Sequence, residues 1–381
     1  MAKILIFGGY AKSLTNFRGE LIKDMVRLGH QVIGMAPETG FEGELNAIGA
    51  QYQRVPLQRT GLNPLKDLAA LRLLVKEFRQ MQPDILLSYT IKPVIYGSLA
   101  ARAAGVPRVY SMITGLGYAF AGRSLKQKLL LSLVRILYSQ SLRKNARVFF
   151  QNPDDIAVFR KFHLLPNGDS AVLINGSGVD IRKFSFVKAK TNPVIFLLMA
   201  RLIREKGIAE YVEAARLLKP RFPEARFQIL GPPDSNPSAI RQEEIAAWQS
   251  EGIVEYLGQT NDVRPYISEC SVFVLPSFYP EGTPRSILEA MSMGRPVITT
   301  DAPGCRETVR RNMNGFLVPV KDSLALADAM ERFIVNPSLV TEMGIRSRVT
   351  AEEKYDVRKV NRSILEAMDL LEVGRSCVQQ N

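Results

Sequence analysis

The sequence has few of the residues that bind metals or form disulfide bonds. Its 381 residues include three cysteines and two histidines, which are Cys270, Cys305, Cys377, His30 and His163. The cysteines are odd in number and show no C-x2-C spacing, which argues against both a disulfide framework and a structural zinc site. We therefore predict reduced thiols and no protein-held metal.

Long apolar runs are also missing. The first residues, Met-Ala-Lys-Ile-Leu-Ile-Phe-Gly-Gly, lead directly into a strand and a glycine turn, and they lack the apolar core and cleavage site of a secretion signal. Residues 129–138 are apolar but include Arg135, and they are far fewer than the roughly 20 residues of a membrane span. We expect a cytoplasmic protein whose chain does not cross the membrane.

Length and composition indicate two globular domains. Apolar residues make up 46% of the chain and charged residues 23%, which is typical of folded proteins. A chain of 381 residues exceeds one ordinary core and fits two α/β domains of roughly 170 to 190 residues. We place the first domain at 1–185 and the second at 190–355, with a linker at about 182–191.

Apolar strands alternate with helices, beginning with a strand at 3–7, a helix at 17–30 and a strand at 31–35. This alternation predicts doubly wound parallel sheets. Gly8 and Gly9 end the first strand, and they either admit a bulky ligand to the backbone or form a simple tight turn. They do not make the G-x-G-x-x-G fingerprint, so the sequence gives little support for a nicotinamide or flavin, and we predict no cofactor.

Positive charge is concentrated in the first half of the chain. The net charge is +13, of which residues 1–170 carry +12 and residues 171–381 carry +1. The first half is therefore expected to meet something acidic, and both nucleic acid and an anionic membrane surface qualify.

The run from 123 to 147 contains seven basic residues and no acid, namely Arg123, Lys126, Lys128, Arg135, Arg143, Lys144 and Arg147. It either lies in a membrane interface or forms an outer helix of the sheet whose charges only keep it soluble. Tyr138 is the one aromatic residue among these charges, whereas single-strand binders interleave several, so we predict no nucleic-acid partner.

The most informative stretch is PSFYPEGTPRSILEAMSMGRPVI, which begins at Pro276. An apolar strand precedes it at 271–275, and a second strand follows at 297–300. Between them we predict a helix at about 284–293, with Thr283 as its N-cap and Pro284 at its first position.

Two glutamates flank the start of this helix. Glu281 lies in the preceding loop, and Glu289 points away from the apolar face of the helix. Glu289 is either a solvated residue that pairs with Arg285 or a ligand contact. The loop follows the carboxyl end of a parallel strand, where open α/β sheets bind ligands, and its free N–H groups suit a phosphate.

Glu281 and Glu289, with seven residues between them, resemble the E-x7-E motif of the GT-B retaining glycosyltransferases of family 4. The resemblance implies two Rossmann-like domains that face a central cleft, with a C-terminal helix at about 356–381 that crosses back onto the first domain. It also implies that Glu281 contacts the transferred sugar and that Glu289 holds the ribose hydroxyls. The donor diphosphate would meet the backbone at Gly282, Thr283, Pro284 and Arg285.

A second motif supports the same family. Residues 199–207, Met-Ala-Arg-Leu-Ile-Arg-Glu-Lys-Gly, resemble its G-R-L-x-x-x-K-G motif, although Ala200 replaces the first Gly. Alone, Arg201 and Lys206 would be read as surface charges, but fixed cations also stabilise the charge that builds on a departing diphosphate. The resemblance places the nucleotide base at the backbone of Tyr256 and Leu257, and the predicted donor site also includes Gly8, Gly9 and Gly231, which follow strands.

The first domain departs from the family pattern because the His expected after the strand at 84–88 is replaced by Tyr89-Thr90-Ile91-Lys92-Pro93. The segments 90–97 and 113–120 resemble instead bacterial members that extend a polyprenyl-diphosphate-linked glycan. The candidate acceptor contacts are Ser13, Asn16, Arg18, Thr90, Lys92, Tyr96 and Thr114.

The expected function is therefore metal-free, retaining transfer of a hexose or N-acetylhexosamine from a UDP-sugar to a lipid-linked glycan. The enzyme would be attached peripherally to the anionic inner-membrane surface. Two alternatives stay open, namely a UDP-sugar 2-epimerase of the same GT-B shape and a basic nucleic-acid-binding protein.

Overall fold

The computed structural model describes residues 1–58, 64–117, 120, 125–166, 170–234, 236 and 238–371, and the side chains of 64 and 125–128 lie outside this description. The chain forms two compact units. The first contains 1–177 and the chain from 358 onward, and the second contains 178–357.

The first unit is built on a parallel sheet. Its described strands are β1 (Lys3–Phe7), β2 (Gln31–Ala36), β3 (Gln51–Arg54), β4 (Ile85–Tyr89), β5 (Arg108–Ile113), β6 (Arg147–Phe150) and β7 (Ala171–Leu173). They lie in the order β3-β2-β1-β4-β5-β6-β7. The helices are Lys12–Arg27, Glu42–Asn46, Pro64–Met81, Ile91–Ala104, Leu125–Leu142 and Pro153–Lys161, together with Val357–Ala367 near the C-terminus. The Lys12–Arg27 helix begins and ends earlier than the predicted 17–30.

The second unit repeats this plan. Its described strands are β8 (Ile195–Met199), β9 (Arg226–Leu230), β10 (Glu255–Tyr256), β11 (Val272–Leu275), β12 (Val297–Thr300) and β13 (Gly315–Val318). They lie in the order β10-β9-β8-β11-β12-β13, and all described pairs are parallel. The helices are Ile208–Leu218, Gln242–Ser250, Arg264–Glu269, Arg285–Ser292, Ser323–Val335 and Ser338–Thr350, with a π-helix at Ala351–Tyr355 and 3-10 turns at Arg204–Lys206 and Arg306–Thr308.

The strand sequences explain both sheets. Strands β8 and β11 read IFLLM and VFVL, and every residue in them is buried, as expected for parallel strands covered by helices on both faces. In each sheet the strand order reverses once, between β1 and β4 and between β8 and β11. Ligands of doubly wound sheets bind outside the carboxyl ends of the strands at this switch point.

The chain passes into the second unit after Ser177, eight residues before the predicted end of the first domain at 185. Arg348 explains the difference, because its Nη1 donates to the carbonyl oxygens of Ile181 and Phe184 at 3.1 and 3.0 Å. The fully buried Arg295 donates to Val187 O at 2.5 Å. The first part of the predicted 182–191 linker is therefore fixed to the second unit.

The Val357–Ala367 helix belongs with the first unit. Its buried residues, with Met368 just beyond it, join the core formed by strands β1, β2 and β4, and they are Val360, Ile364 and Leu365. Among the described residues, none of the helices combines the length and the apolar content that a bilayer crossing requires.

Gly207 lets the turn after β8 lie against the end of β11. Its φ is +74°, and a Cβ built on it would lie 2.1 Å from Pro276 O. Gly252 offers a comparison, because its φ is +71° but a Cβ there would meet nothing within 4 Å. Only glycine adopts such backbone angles without cost, and at Gly207 the backbone contact adds a second penalty.

We predict that Gly252→Ala lowers the free energy of unfolding by about 1–2 kcal/mol, the cost of left-handed backbone in an L-residue. Gly207→Ala should cost at least twice as much, because the Pro276 carbonyl must also move. Urea denaturation of the two variants measures both values. Equal losses would show that the close approach of Gly207 to Pro276 contributes nothing.

Candidate active site

The site in the second unit lies at the switch point between β8 and β11. Lys206 ends the 3-10 turn that follows β8, and Glu281 lies in the loop that follows β11. The two segments are joined through the backbone, since the Phe278 N–H donates to Glu205 O at 2.9 Å. Residues 75 positions apart are thereby brought to one edge of the sheet.

The Lys206 ammonium donates to Glu281 Oε1 at 2.5 Å, and the Ser277 hydroxyl donates to the same oxygen at 2.9 Å. Ser277 is fully buried and Lys206 is 7% exposed. A charged pair this far out of water is costly to separate, because each charge would be left poorly solvated without its partner. Lys206 and Glu281 therefore form a fixed unit.

Arg201 lies at the same edge of the sheet, two residues after the end of β8. Its Nη1 donates to Asp234 Oδ2 at 2.8 Å, and its side chain is 42% exposed. A guanidinium has five N–H donors in one plane, so a pair with one carboxylate oxygen leaves capacity for a ligand. Within the described ranges, no group of three or more His, Cys, Asp and Glu side chains is placed to hold a metal ion.

The helix after Glu281 is Arg285–Ser292, and its N-cap is Pro284 with extended backbone. The predicted N-cap, Thr283, lies one residue too early, because the ψ of Pro284 is 119° and therefore not helical. Gly282 and Thr283 are buried. Their loop is packed against Gly304, where a Cβ would lie 2.4 Å from Gly282 O.

Glu289 is more enclosed than the helix pattern indicated. Its side chain is 15% exposed, and Oε1 accepts from Arg285 Nε at 3.1 Å. The sequence allowed Glu289 either to pair with Arg285 or to contact a ligand, and the ion pair with Arg285 is present in the structure. Burial raises the pKa of the Glu289 carboxyl, and Arg285 opposes that rise.

The predicted donor residues farther along the sheet meet at the end of β9. A Cβ on Gly231 would lie 1.7 Å from Ala200 O, so that only glycine fits there. The Tyr256 hydroxyl donates to Gly231 O at 2.9 Å. The Leu257 N–H donates to Ile229 O within the sheet, so a base would have to contact another group of this residue.

In the first unit, Gly8 and Gly9 lie at the switch point between β1 and β4. A Cβ on Gly8 would lie 2.3 Å from Tyr89 Oη, and one on Gly9 would lie 2.9 Å from Thr90 Oγ1. Thr90 itself has a φ of +69°, which is strained for a β-branched residue, and its buried hydroxyl has no partner among the described residues. Such strain is concentrated at functional sites.

Four of the six other acceptor candidates fall into two groups. Ser13 lies within hydrogen-bond distance of Tyr89, with 2.7 Å between the hydroxyl oxygens, and the buried Arg18 lies 5.2 Å from the Tyr89 ring centre. Lys92 pairs with the buried Asp67 at 2.8 Å, and the same carboxylate raises the pKa of Tyr96 together with burial, which acts more strongly. Asn16 is exposed and Thr114 follows β5.

The predicted basic surface is only partly as expected. Arg123 lies outside the described residues, as do the side chains of Lys126 and Lys128. Arg143 and Lys144 are exposed after the Leu125–Leu142 helix. Arg135 is half-buried, its guanidinium lies 3.8 Å from the Phe162 ring centre and its Nε is buried, so its contact with a membrane stays a prediction.

Comparison with solved structures identifies the class of fold. The Anabaena protein Alr3699/HepE, solved in complex with UDP and glucose, is 18% identical, covers 97% of this chain and 100% of its own, and superposes with a TM-score of 0.77. The two parallel-sheet units are those of the GT-B glycosyltransferases, which confirms the predicted fold class.

Comparison of sequences identifies the family. Residues 193–336 match the model for glycosyl transferases group 1, and residues 15–176 match the glycosyl transferase 4-like domain. The chain therefore belongs to this glycosyltransferase family, as the E-x7-E resemblance predicted.

Two curated relatives from bacteria are named as sugar transferases. The N,N'-diacetylbacillosaminyl-diphospho-undecaprenol alpha-1,3-N-acetylgalactosaminyltransferase of Campylobacter jejuni is 27% identical over 340 residues, 86% of this chain and 88% of that protein. The UDP-Gal:alpha-D-GlcNAc-diphosphoundecaprenol alpha-1,3-galactosyltransferase of Escherichia coli is 27% identical over 292 residues, 73% of each chain.

Glu289 generates a prediction about pH and stability. Its folded pKa lies above the ordinary 4.5, so the folded state binds the proton more tightly and Glu289 stabilises the fold below pH 4.5. This contribution is lost as the pH rises through the raised pKa. We expect Glu289→Gln to gain stability relative to the wild type between pH 4.5 and neutral pH, measured by urea unfolding.

Glu244 is the matched control, because its pKa is lowered by the backbone N–H of Arg241 and by Arg204. The contribution of Glu244 to the free energy of unfolding is present above pH 4.5 and is lost as the pH falls through the lowered pKa. Glu244→Gln should therefore be as stable as the wild type below the lowered pKa and less stable than the wild type at neutral pH. The two variants should thus differ in the sign of their pH dependence. The same sign in both would contradict the enclosed state of Glu289.

Proposed function

We propose that the protein is a retaining transferase that moves a hexose or N-acetylhexosamine from a UDP-sugar to a polyprenyl-diphosphate-linked glycan. The observation that carries the proposal is the fixed Lys206–Glu281 pair at the switch point of the second unit, with Arg201 on the same edge. It combines cations for a diphosphate with a carboxylate for a sugar hydroxyl.

The relatives support this choice of donor and acceptor. The E. coli enzyme is named for UDP-Gal, and the Anabaena protein was solved with UDP and glucose. Both curated relatives are named for sugars carried on diphosphoundecaprenol. A lipid-linked diphosphate glycan is therefore the acceptor class that we infer for this chain.

In the reaction, the bond between the anomeric carbon and the β-phosphate oxygen breaks while an acceptor hydroxyl bonds to the same carbon. Negative charge develops on the departing UDP, and Lys206 and Arg201 stabilise it without reorganising, because both are already held by carboxylates. The departing phosphate takes the proton of the acceptor hydroxyl from the same face of the sugar, which retains the anomeric configuration.

Glu281 serves as a hydrogen-bond acceptor in this scheme. Its Oε1 already accepts from Lys206 and Ser277, which fixes the carboxylate for contact with a sugar hydroxyl. Glu289, on the helix that follows the loop, would hold the ribose, and the backbone from Gly282 to Arg285 would meet the diphosphate. The acceptor would meet the first unit near Thr90, whose buried hydroxyl and strained backbone suit a ligand contact.

We predict that Glu281→Gln, Arg201→Ala and Lys206→Ala each lower kcat by about 10²-fold, the usual effect of one lost transition-state contact. Glu289→Ala should mainly raise the donor KM. The measurement is turnover of a panel of UDP- and GDP-sugars with extracted polyprenyl-diphosphate glycans, read by product mass and by the anomeric NMR coupling.

Arg204→Ala is the matched control, because Arg204 lies two residues before Lys206 but pairs with Glu244 on the exposed surface. It should retain wild-type activity. Unchanged activity in all four site variants would remove this site from the reaction. Inversion of the anomeric configuration would exclude the retaining mechanism, and isomerisation of a UDP-sugar without acceptor would favour the epimerase.

We also propose that the Leu125–Leu142 helix attaches the enzyme to an anionic bilayer. Its residues Val134, Tyr138 and Leu142 pack inward, while Leu129, Leu133 and Ile136 are 75%, 43% and 61% exposed. Exposed apolar side chains at this spacing form one stripe of the helix, and Arg143 and Lys144 follow its end. Such a surface suits the boundary between lipid headgroups and acyl chains.

We predict that the protein pellets with anionic but not neutral vesicles, and that about 0.5 M salt releases it as the Debye length shrinks to roughly 4 Å. Two variants should weaken pelleting, Leu129→Gln/Leu133→Gln/Ile136→Gln and Lys126→Glu/Lys128→Glu/Arg143→Glu/Lys144→Glu. Both should lose activity on a lipid-linked acceptor while a short soluble analogue is used normally.

The control for this experiment is Leu324→Gln/Val335→Gln, which removes two exposed apolar side chains from a helix of the second unit. It should pellet like the wild type. Wild-type vesicle binding by both helix variants would show that the Leu125–Leu142 helix is an ordinary cover of the sheet.

A further inference from the structure

One tyrosine that the sequence analysis did not single out lies among the three proposed catalytic side chains. Lys206 Nζ lies 5.6 Å from the ring centre of Tyr279. Burial raises the pKa of the Tyr279 phenol, and the neighbouring Arg201 guanidinium opposes that rise. The backbone carbonyl of Tyr279 accepts the N–H of Glu281 at 2.8 Å. Tyr279 thus lies beside the Lys206 and Arg201 side chains and is hydrogen-bonded to the backbone of Glu281.

The loop holds this tyrosine in place through Ser277. The fully buried Ser277 hydroxyl accepts the Tyr279 N–H at 3.3 Å and donates to Glu281 at 2.9 Å. Residues 277–281 therefore form a small hydrogen-bonded loop in which one hydroxyl contacts both the backbone of Tyr279 and the carboxylate of Glu281.

An aromatic ring meets a specific requirement beside Lys206. The ammonium is largely removed from water and has one carboxylate partner in Glu281, which balances its charge. A second carboxylate would stabilise the ammonium further but would repel a diphosphate. The face of an aromatic ring stabilises a cation without adding a net negative charge, so the site can still accept an anion.

We propose that Tyr279 is a positioning residue for the transfer reaction, whose ring holds the Lys206 ammonium and whose hydroxyl holds the Arg201 guanidinium where the departing diphosphate is received. This inference rests on the proposed function. It adds a group that acts through the two cations and need not itself touch the reacting atoms.

The test compares Tyr279→Leu, Tyr279→Phe and Phe278→Leu. Phe278 is the matched control, because its ring lies 4.6 Å from Lys321 Nζ and makes a similar contact to a cation outside the cluster. We expect Tyr279→Leu to lower kcat about tenfold, the scale of one desolvated cation–π contact. Tyr279→Phe keeps the ring and should lose only a few-fold, while Phe278→Leu should stay within twofold of the wild type.

A double-mutant cycle separates positioning from general packing. If the Tyr279 ring acts through Lys206, adding Tyr279→Leu to Lys206→Ala should lower kcat further only by the few-fold that Tyr279→Phe loses at Arg201. A full tenfold further loss, a tenfold loss in Phe278→Leu, or wild-type kcat in Tyr279→Leu would each overturn the inference. Thermal unfolding of each variant confirms that it is folded.

The same cycle distinguishes this inference from the proposed function. Wild-type kcat in Lys206→Ala would overturn the catalytic role proposed for Lys206, and the role of Tyr279 with it. An impaired Lys206→Ala combined with an additive Tyr279→Leu would leave the proposed site intact and overturn only the role of Tyr279.

Discussion

The structure of the site depends on one largely buried ion pair, between the Lys206 ammonium and the Glu281 carboxylate. Its partners follow neighbouring strands, β8 and β11, whose burial on both faces leaves little freedom to either strand end. Gly207 allows the turn that carries Lys206 to lie against Pro276, where any side chain would meet the backbone. Removing either member of the pair would leave an unpaired charge in a poorly solvated site. The position of each charge therefore depends on the other charge and on the turn at Gly207.

Two features follow from this pair. The site carries positive charge that is already held in place, which is the arrangement that stabilises a developing anion at low cost. The pair also lies entirely within the second unit, so that substitution of single side chains in this unit tests its role. The exposed Arg201, paired with Asp234, adds a planar set of donors at the same edge.

Much of the fold follows from local patterns in the sequence. Strand β12, Val297–Thr300, coincides with the predicted range because a run of four β-branched residues after Gly294 and Pro296 is typical of a strand. The segment from 178 to 187, predicted as the end of a first domain and a linker, lies in the second unit because its partners Arg348 and Arg295 are more than 100 positions away. Long-range hydrogen bonds of this kind leave no periodic signal.

The site shows the same division. Glu281, Lys206 and Arg201 were predicted because they stand in motifs with strict spacing, and the structure brings Glu281 and Lys206 into contact. The enclosure of Glu289, the stacking of Arg135 on Phe162, and the place of Tyr279 beside Lys206 could not be predicted. Each depends on a side-chain direction or a loop contact that residue type alone does not specify. Tyr279 lies two positions before Glu281, and its aromatic character next to a motif carboxylate was the one available signal.

A crystal structure of the protein with bound UDP tests the central claim most directly. We predict that oxygens of the diphosphate lie about 3 Å from Lys206 Nζ and from the Arg201 guanidinium, with the ribose hydroxyls at Glu289. A UDP molecule whose diphosphate lies away from the ends of β8 and β11 would contradict it.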